Sequence, residues 1–160
     1  MKNTWPLALA TALLATVWCS PTSAQMTPDR EGFLVAGPEK MVPPEGGRVI
    51  NILGDPKEPG FYVLRIIWEP GQGSQPHFHD QARLITVLEG TWYVSTGAAS
   101  DVYDPDNMTP VTAGTFIYEP PNGHHYDMAK DEEVVVQIWG MGPVNTTSIP
   151  QPEASGTGGR

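Results

Sequence analysis

Between about Asp29 and Ser148, no stretch of this 160-residue chain reads as a long helix. Its apolar residues fall instead in short β-branched and aromatic segments: "GFLVA", "GRVINIL", "FYVLRIIW", "PHFH", "RLITVL", "TWYVS", "GTFIY", "HHYDM" and "EVVVQIWG". Turn-forming clusters such as "PPEGG", "GDPKEPG", "EPGQG", "EG" and "PPNG" separate most of them. Glycine supplies the positive-φ positions of tight turns and proline removes a ladder donor, so this punctuation breaks the chain into strands and hairpins. Short, evenly spaced strands of this kind predict a single all-β sandwich or barrel. One longer insertion, Thr96 to Pro110, has room for a single helical turn, and the chain carries no internal repeat.

The first residues are not read as part of that fold. Met1–Lys2 is a short basic start, the apolar run from Trp5 to Trp18 follows, and "CSPTSAQ" offers a small-residue cleavage site after Ala24. The run is too short for a bilayer core of ~30 Å and fits a secretory leader. Cys19 is a poor lipidation site because the bulky Trp18 precedes it. The expected organisation is a signal peptide at 1–24, one domain at 25–148 and a flexible tail at 149–160, with the mature protein periplasmic or secreted. The formal net charge of −9 becomes one unit more negative when Lys2 leaves. An acidic surface without a basic stripe excludes nucleic acid and anionic membrane as natural partners. Cys19 is the sole cysteine, so the mature chain has no thiol or disulfide, and a metal must be held by histidine, carboxylate or water.

His77 and His79 are separated by one residue, which on a strand turns both imidazoles to the same side. They sit in a wider pattern: Gly71, His77, His79, Arg83 and Gly90, then Gly114, Pro120, Asn122 and His125. Together these resemble the two conserved motifs of the cupin superfamily, and in particular small exported bacterial cupins with similar "TVLxGTWYV" and "VVVQ" segments. Three positions depart from the motifs. Arg83 replaces the usual glutamate, Asn122 a glycine, and Ala129 an asparagine that often closes the second motif. The resemblance implies a single cupin-type jelly-roll β-barrel, a possible homodimer through an edge strand, and a divalent transition metal (Fe, Mn, Zn, Cu or Ni) on His77, His79 and His125. His124 is one residue out of phase and should turn away.

Arg83 has five donors, no lone pair and a permanent charge, so it cannot be a ligand. Two roles stay open at this point. It grips an anionic substrate that also reaches the metal, or it pairs with a carboxylate such as Glu119 or Asp127 and stiffens the mouth of the barrel. A third reading makes the pocket metal-free, with Arg83 and the histidines as an isomerase or lyase site. Gln137 is a further polar candidate, because an amide among the apolar residues of "VVVQIW" needs partners. Trp92, Tyr93, Tyr118, Tyr126 and Trp139 are read as core rather than substrate contacts. The resemblance allows a metal-dependent enzyme acting on a small anionic or enolisable molecule, dioxygenase-like among other chemistries. A non-catalytic protein that binds a metal or a small molecule is the rival. No nucleophile elbow, phosphate loop or dinucleotide fingerprint is present.

Overall fold

The computed structural model describes residues 26–152; the expected leader with Cys19, and residues 153–160 of the expected tail, lie outside the described residues. Two five-stranded antiparallel sheets face one another. The first runs, in spatial order, β1 (Val49–Leu53), β2 (Gly60–Trp68), β9 (Val134–Gly142), β4 (Arg83–Glu89) and β7 (Phe116–Glu119). The second runs β10 (Thr146–Ser148), β3 (His77–His79), β8 (His125–Ala129), β5 (Thr91–Thr96) and β6 (Thr109–Thr112). This is the expected jelly roll.

The core lies between the sheets and follows the two-residue period of the strands. Ile85 and Val87 of β4, Val134, Val136 and Ile138 of β9, and Tyr62, Leu64 and Trp68 of β2 pack against Trp92 and Ala129 of the second sheet. Val87, Val134 and Val136 are fully buried, and each such side chain contributes ~1.5–3 kcal/mol of burial. Of the other aromatics, Tyr126 is buried, whereas Tyr118 is exposed on the outer face. At the β4–β5 turn Gly90 adopts φ 76°, and a Cβ there would lie 2.3 Å from the Glu133 carbonyl oxygen. Both conditions require glycine.

Three segments differ from the sequence reading. "GFLVA" forms no strand: Phe33 and Val35 are exposed, and the Asp29 carboxylate accepts from the Glu31 and Phe33 amides, folding the chain into a local turn. A β-branched run with no partner strand has no ladder to join. The insertion does contain a single short 3₁₀ turn, Gly97–Asp101, but it continues into β6, which pairs with β5. The Gly/Pro/Thr-rich end contributes β10, paired in register with β3. Ile149 and Gln151, at the start of the expected tail, are anchored. The Ile149 amide donates to Pro76, and the Gln151 side chain bonds to the backbone of Tyr103 and Asp101.

Candidate metal centre and adjoining chamber

β3 is only three residues long, yet it places His77 and His79 on one face, as strand parity requires. Across the ladder, His77 is the direct register partner of His125 on β8. The two motif blocks therefore meet at one cross-strand pair. The turn before β8 is made by Asn122 at φ 58°, a left-handed conformation that asparagine tolerates better than most residues other than glycine. This accounts for asparagine where the motif has glycine. The Asn122 amide donates to the His79 carbonyl at 2.6 Å, tying the turn to β3.

The imidazole centroids of His77, His79 and His125 lie 4.2–5.4 Å apart, and one ligating nitrogen from each falls within 4.8 Å of the others. Each ring is held by its Nδ1. That of His77 is 2.7 Å from the Gln75 carbonyl, that of His125 is 2.9 Å from the Gly123 carbonyl, and that of His79 is 3.0 Å from the Thr146 hydroxyl of β10. A carbonyl only accepts, so His77 and His125 carry their proton on Nδ1 and keep a lone pair on Nε2. The Nε2 of His79 is buried and has no hydrogen-bond partner among the described residues. Burial is the main cause that lowers the pKa of all three, to about 4 for His77 and His125 and about 2 for His79. The rings are neutral at ordinary pH, which is the state a metal needs. The donor set fits a divalent transition ion. His124, as parity predicted, turns away: it stacks on Phe78 and pairs with Asp101.

Arg83 makes a two-point contact with its register partner across the ladder, Glu119 of β7: Nε to Oε1 at 3.0 Å and Nη2 to Oε2 at 2.7 Å. Both side chains are largely buried, at 14% and 7% exposure. The carboxylate absent from position 83 thus reappears one strand over. Glu119 oxygens lie 3.9 Å from His79 Nε2 and 3.5 Å from His125 Nε2, while Arg83 Nη2 lies 3.3 Å from His125 Nε2. Asp127 is not in this pair. It is buried on β8, where its backbone amide donates to the Ser74 hydroxyl at 3.0 Å, and desolvation pushes its carboxyl up to about 6. Gln137 is not brought to the site. Val136 and Ile138 on either side point inward, so Gln137 faces the outer side of the sheet, where its Oε1 accepts from Arg65 Nε at 3.0 Å.

A chamber of about 170 Å³ opens beside His77 and His79, walled further by Arg48, Trp68, Trp92 and Asp127. A more apolar cavity of about 390 Å³ lies on the side of His125 and Glu119, against Ile85, Val94 and Ile117. Trp92 and Asp127 line both. Arg48, Trp68 and Thr146 were not singled out from the sequence. Their only signal is proximity in the fold, since none lies inside a recognisable motif.

The Cupin domain family model matches residues 64–140. No curated protein matches the sequence. Among solved structures, a double-stranded β-helix protein from Klebsiella pneumoniae superposes with TM-score 0.54 at 20% identity, covering 72% of this chain and 96% of that one. The polyketide cyclase RemF from Streptomyces resistomycificus gives 0.52 at 18%, covering 66% and 72%. The DMSP lyase DddQ from Ruegeria pomeroyi gives 0.50 at 10%, covering 62% of this chain and half of its own. At these identities the likeness is one of fold. With the two motif blocks meeting at His77 and His125 and the domain model spanning the strands that carry them, residues 64–140 form a domain of the cupin superfamily.

Proposed function

We propose that His77, His79 and His125 hold one divalent metal and that the adjoining chamber presents a small oxygenated molecule to it. The observation that carries this reading is the arrangement of the ring nitrogens. The Nδ1 atoms are held by Gln75, Gly123 and Thr146, and the buried Nε2 of His79 has no hydrogen-bond partner among the described residues. A bound metal supplies Lewis-acid polarisation of a substrate oxygen. The protein's part is to hold the imidazoles neutral and oriented, and to keep the reacting end of the molecule between the two sheets, away from bulk water. The leader and its cleavage site support export, so the site would act outside the cytoplasm. Metal content after dialysis tests the assignment. Wild type is expected to hold one equivalent, and His77→Ala, His79→Ala and His125→Ala to lose it; retention in all three overturns the reading.

One contact favours a second reading. Arg83 Nη2, 3.3 Å from His125 Nε2, donates toward the lone pair a metal would use. This is the feature expected of a metal-free pocket, in which Arg83 and the imidazoles act on the ligand directly. A wild-type protein that binds its ligand but no metal would select it.

A further inference from the structure

All four buried side-chain polar atoms that lack a hydrogen-bond partner among the described residues belong to residues walling the 170 Å³ chamber: Trp68 Nε1, Trp92 Nε1, Asp127 Oδ1 and His79 Nε2. Unsatisfied buried groups are rare and costly, so four around one small space mark it as built for something polar. Both indoles are only 4% exposed, and an indole nitrogen can only donate. Two of the residues that wall the chamber beside the histidine cluster thus carry N–H donors that the described residues leave unpaired.

Arg48, just before β1, completes the set. Its guanidinium lies 4.0 Å above the Trp68 ring and helps to wall the chamber. Among the described residues it forms no salt bridge, although its charge acts on Asp127, another residue of the chamber wall. Arg83 is committed to Glu119, and Arg65 to Gln137. Arg83 also lines the chamber, with Nε and Nη2 given to Glu119, so of the two arginines in its wall Arg48 is the one that forms no salt bridge among the described residues. At ~30 Å³ per water-sized unit, 170 Å³ holds a molecule of roughly six heavy atoms.

We infer that the chamber takes a small carboxylate, gripped by Arg48 and by the indole N–H groups of Trp68 and Trp92, so that Arg48 and not Arg83 is the anion anchor. A carboxylate has two oxygens to share between a guanidinium and indole donors, and one negative charge to match the cation. The inference deepens the proposed function by naming the ligand class. It rests on that reading for the chamber as the ligand site, though not for the metal.

Calorimetric titration of metal-supplemented protein with acetate, glycolate and pyruvate, and with acetamide and glycolamide as uncharged counterparts, tests it. Metal content and unfolding midpoint are measured on the same samples. Wild type should prefer each acid over its amide. Arg48→Met should lose about ten- to a hundredfold in acid affinity, and Arg48→Lys should recover part of that. Trp92→Phe and Trp68→Phe should lose about fivefold or more in acid affinity, because each deletes an unpaired donor, and the midpoint should also fall because both rings belong to the core. Acids that bind Arg48→Met as tightly as wild type overturn the inference. So does a wild type that shows no preference for acid over amide, or that binds none of the probes. Tryptophan variants with a lowered midpoint and unchanged affinity would assign the N–H groups to structure instead. Absence of metal from wild type, with acid binding still dependent on Arg48, would sink the metal centre and leave the anchor standing.

Discussion

Replacing Arg83 with methionine should weaken the fold and strengthen metal binding, a combination that neither a simple structural role nor a substrate-anchor role produces. The pair it breaks is two-pronged and buried, with Arg83 at 14% and Glu119 at 7% exposure. Removing one partner of such a pair costs about 3 kcal/mol, because the remaining carboxylate is left buried and uncompensated. For a domain of this size that lowers the unfolding midpoint of metal-stripped protein by ~10 °C. The metal sees the opposite change. A cation with an Nη2 only 3.3 Å from His125 Nε2 is gone, and the Glu119 carboxylate, 3.5 Å and 3.9 Å from two Nε2 atoms, is released to face them. Unit charges ~4 Å apart interact by about 4 kcal/mol at an effective dielectric of ~20. Even after most of that is lost to screening, affinity should tighten by at least ~1.4 kcal/mol, or tenfold. Competition for Zn(II) against a chromophoric chelator at pH 7.5 measures the affinity, and thermal unfolding with and without metal measures the stability. The variant should regain more stability on metal addition than wild type does. Adding Glu119→Leu to Arg83→Met removes both charges, which should restore the midpoint and abolish the part of the affinity gain that came from the carboxylate. A lowered midpoint with unchanged or weakened Zn(II) affinity would refute the reasoning.

Metal-stripped protein should lose stability as pH falls from about 6.5 toward 4. The folded state holds His77 and His125 at about 4 and His79 at about 2, against 6.5 for a free imidazole, so the unfolded chain takes up protons first. His125 alone accounts for about 2 kcal/mol at pH 5. Asp127, raised to about 6, returns part of this because its folded form is protonated first. Midpoints measured from pH 7 to pH 5 should fall, and an unchanged or rising midpoint would contradict the neutral-imidazole account. Intact mass of exported protein should correspond to a chain beginning at Gln25, and a species that keeps residues 1–24 or is lipidated at Cys19 would contradict the leader reading.

The strands that could be read in advance are those whose stability comes from burial of their own alternating residues. "RLITVL" and "TWYVS" carry that period, and both are strands within the core. β6 and β10 carry no such signal. They exist because β5 and β3 offer open edges to Thr109–Thr112 and Thr146–Ser148. "GFLVA" shows the converse, an apolar run with no edge to join. Gln137 was misjudged for a related reason. "VVVQIW" looks like a strand buried on both faces, and Val135 is indeed buried, although it faces outward with Gln137. The segment around Ala36, Pro38 and Met41 borders Val135 and Arg65 on that outer face, and no local pattern announces such a cover. The histidines were legible because parity and spacing are local properties; the partner of Arg83 was not, because it depends on the register of β4 against β7.

That register decides what the cation is for. A guanidinium placed where a cupin metal site usually has a carboxylate reads, in the sequence, as a demand for an anionic ligand. In the fold the demand is already met by Glu119, directly across the ladder, so the pair as a whole adds no net charge beside the imidazoles. The carboxylate has been moved from β4 to β7 rather than lost, and the arginine at its old position holds it 3.5 Å and 3.9 Å from the Nε2 atoms of His125 and His79. An incoming anion at Arg83 would meet a guanidinium whose charge is already matched by the Glu119 carboxylate beside it, and that carboxylate would repel it. Arg48, whose guanidinium lies over the Trp68 ring at the chamber wall, forms no salt bridge among the described residues. Discrimination among anions should therefore follow changes at Arg48, and metal affinity should follow changes at Arg83 and Glu119.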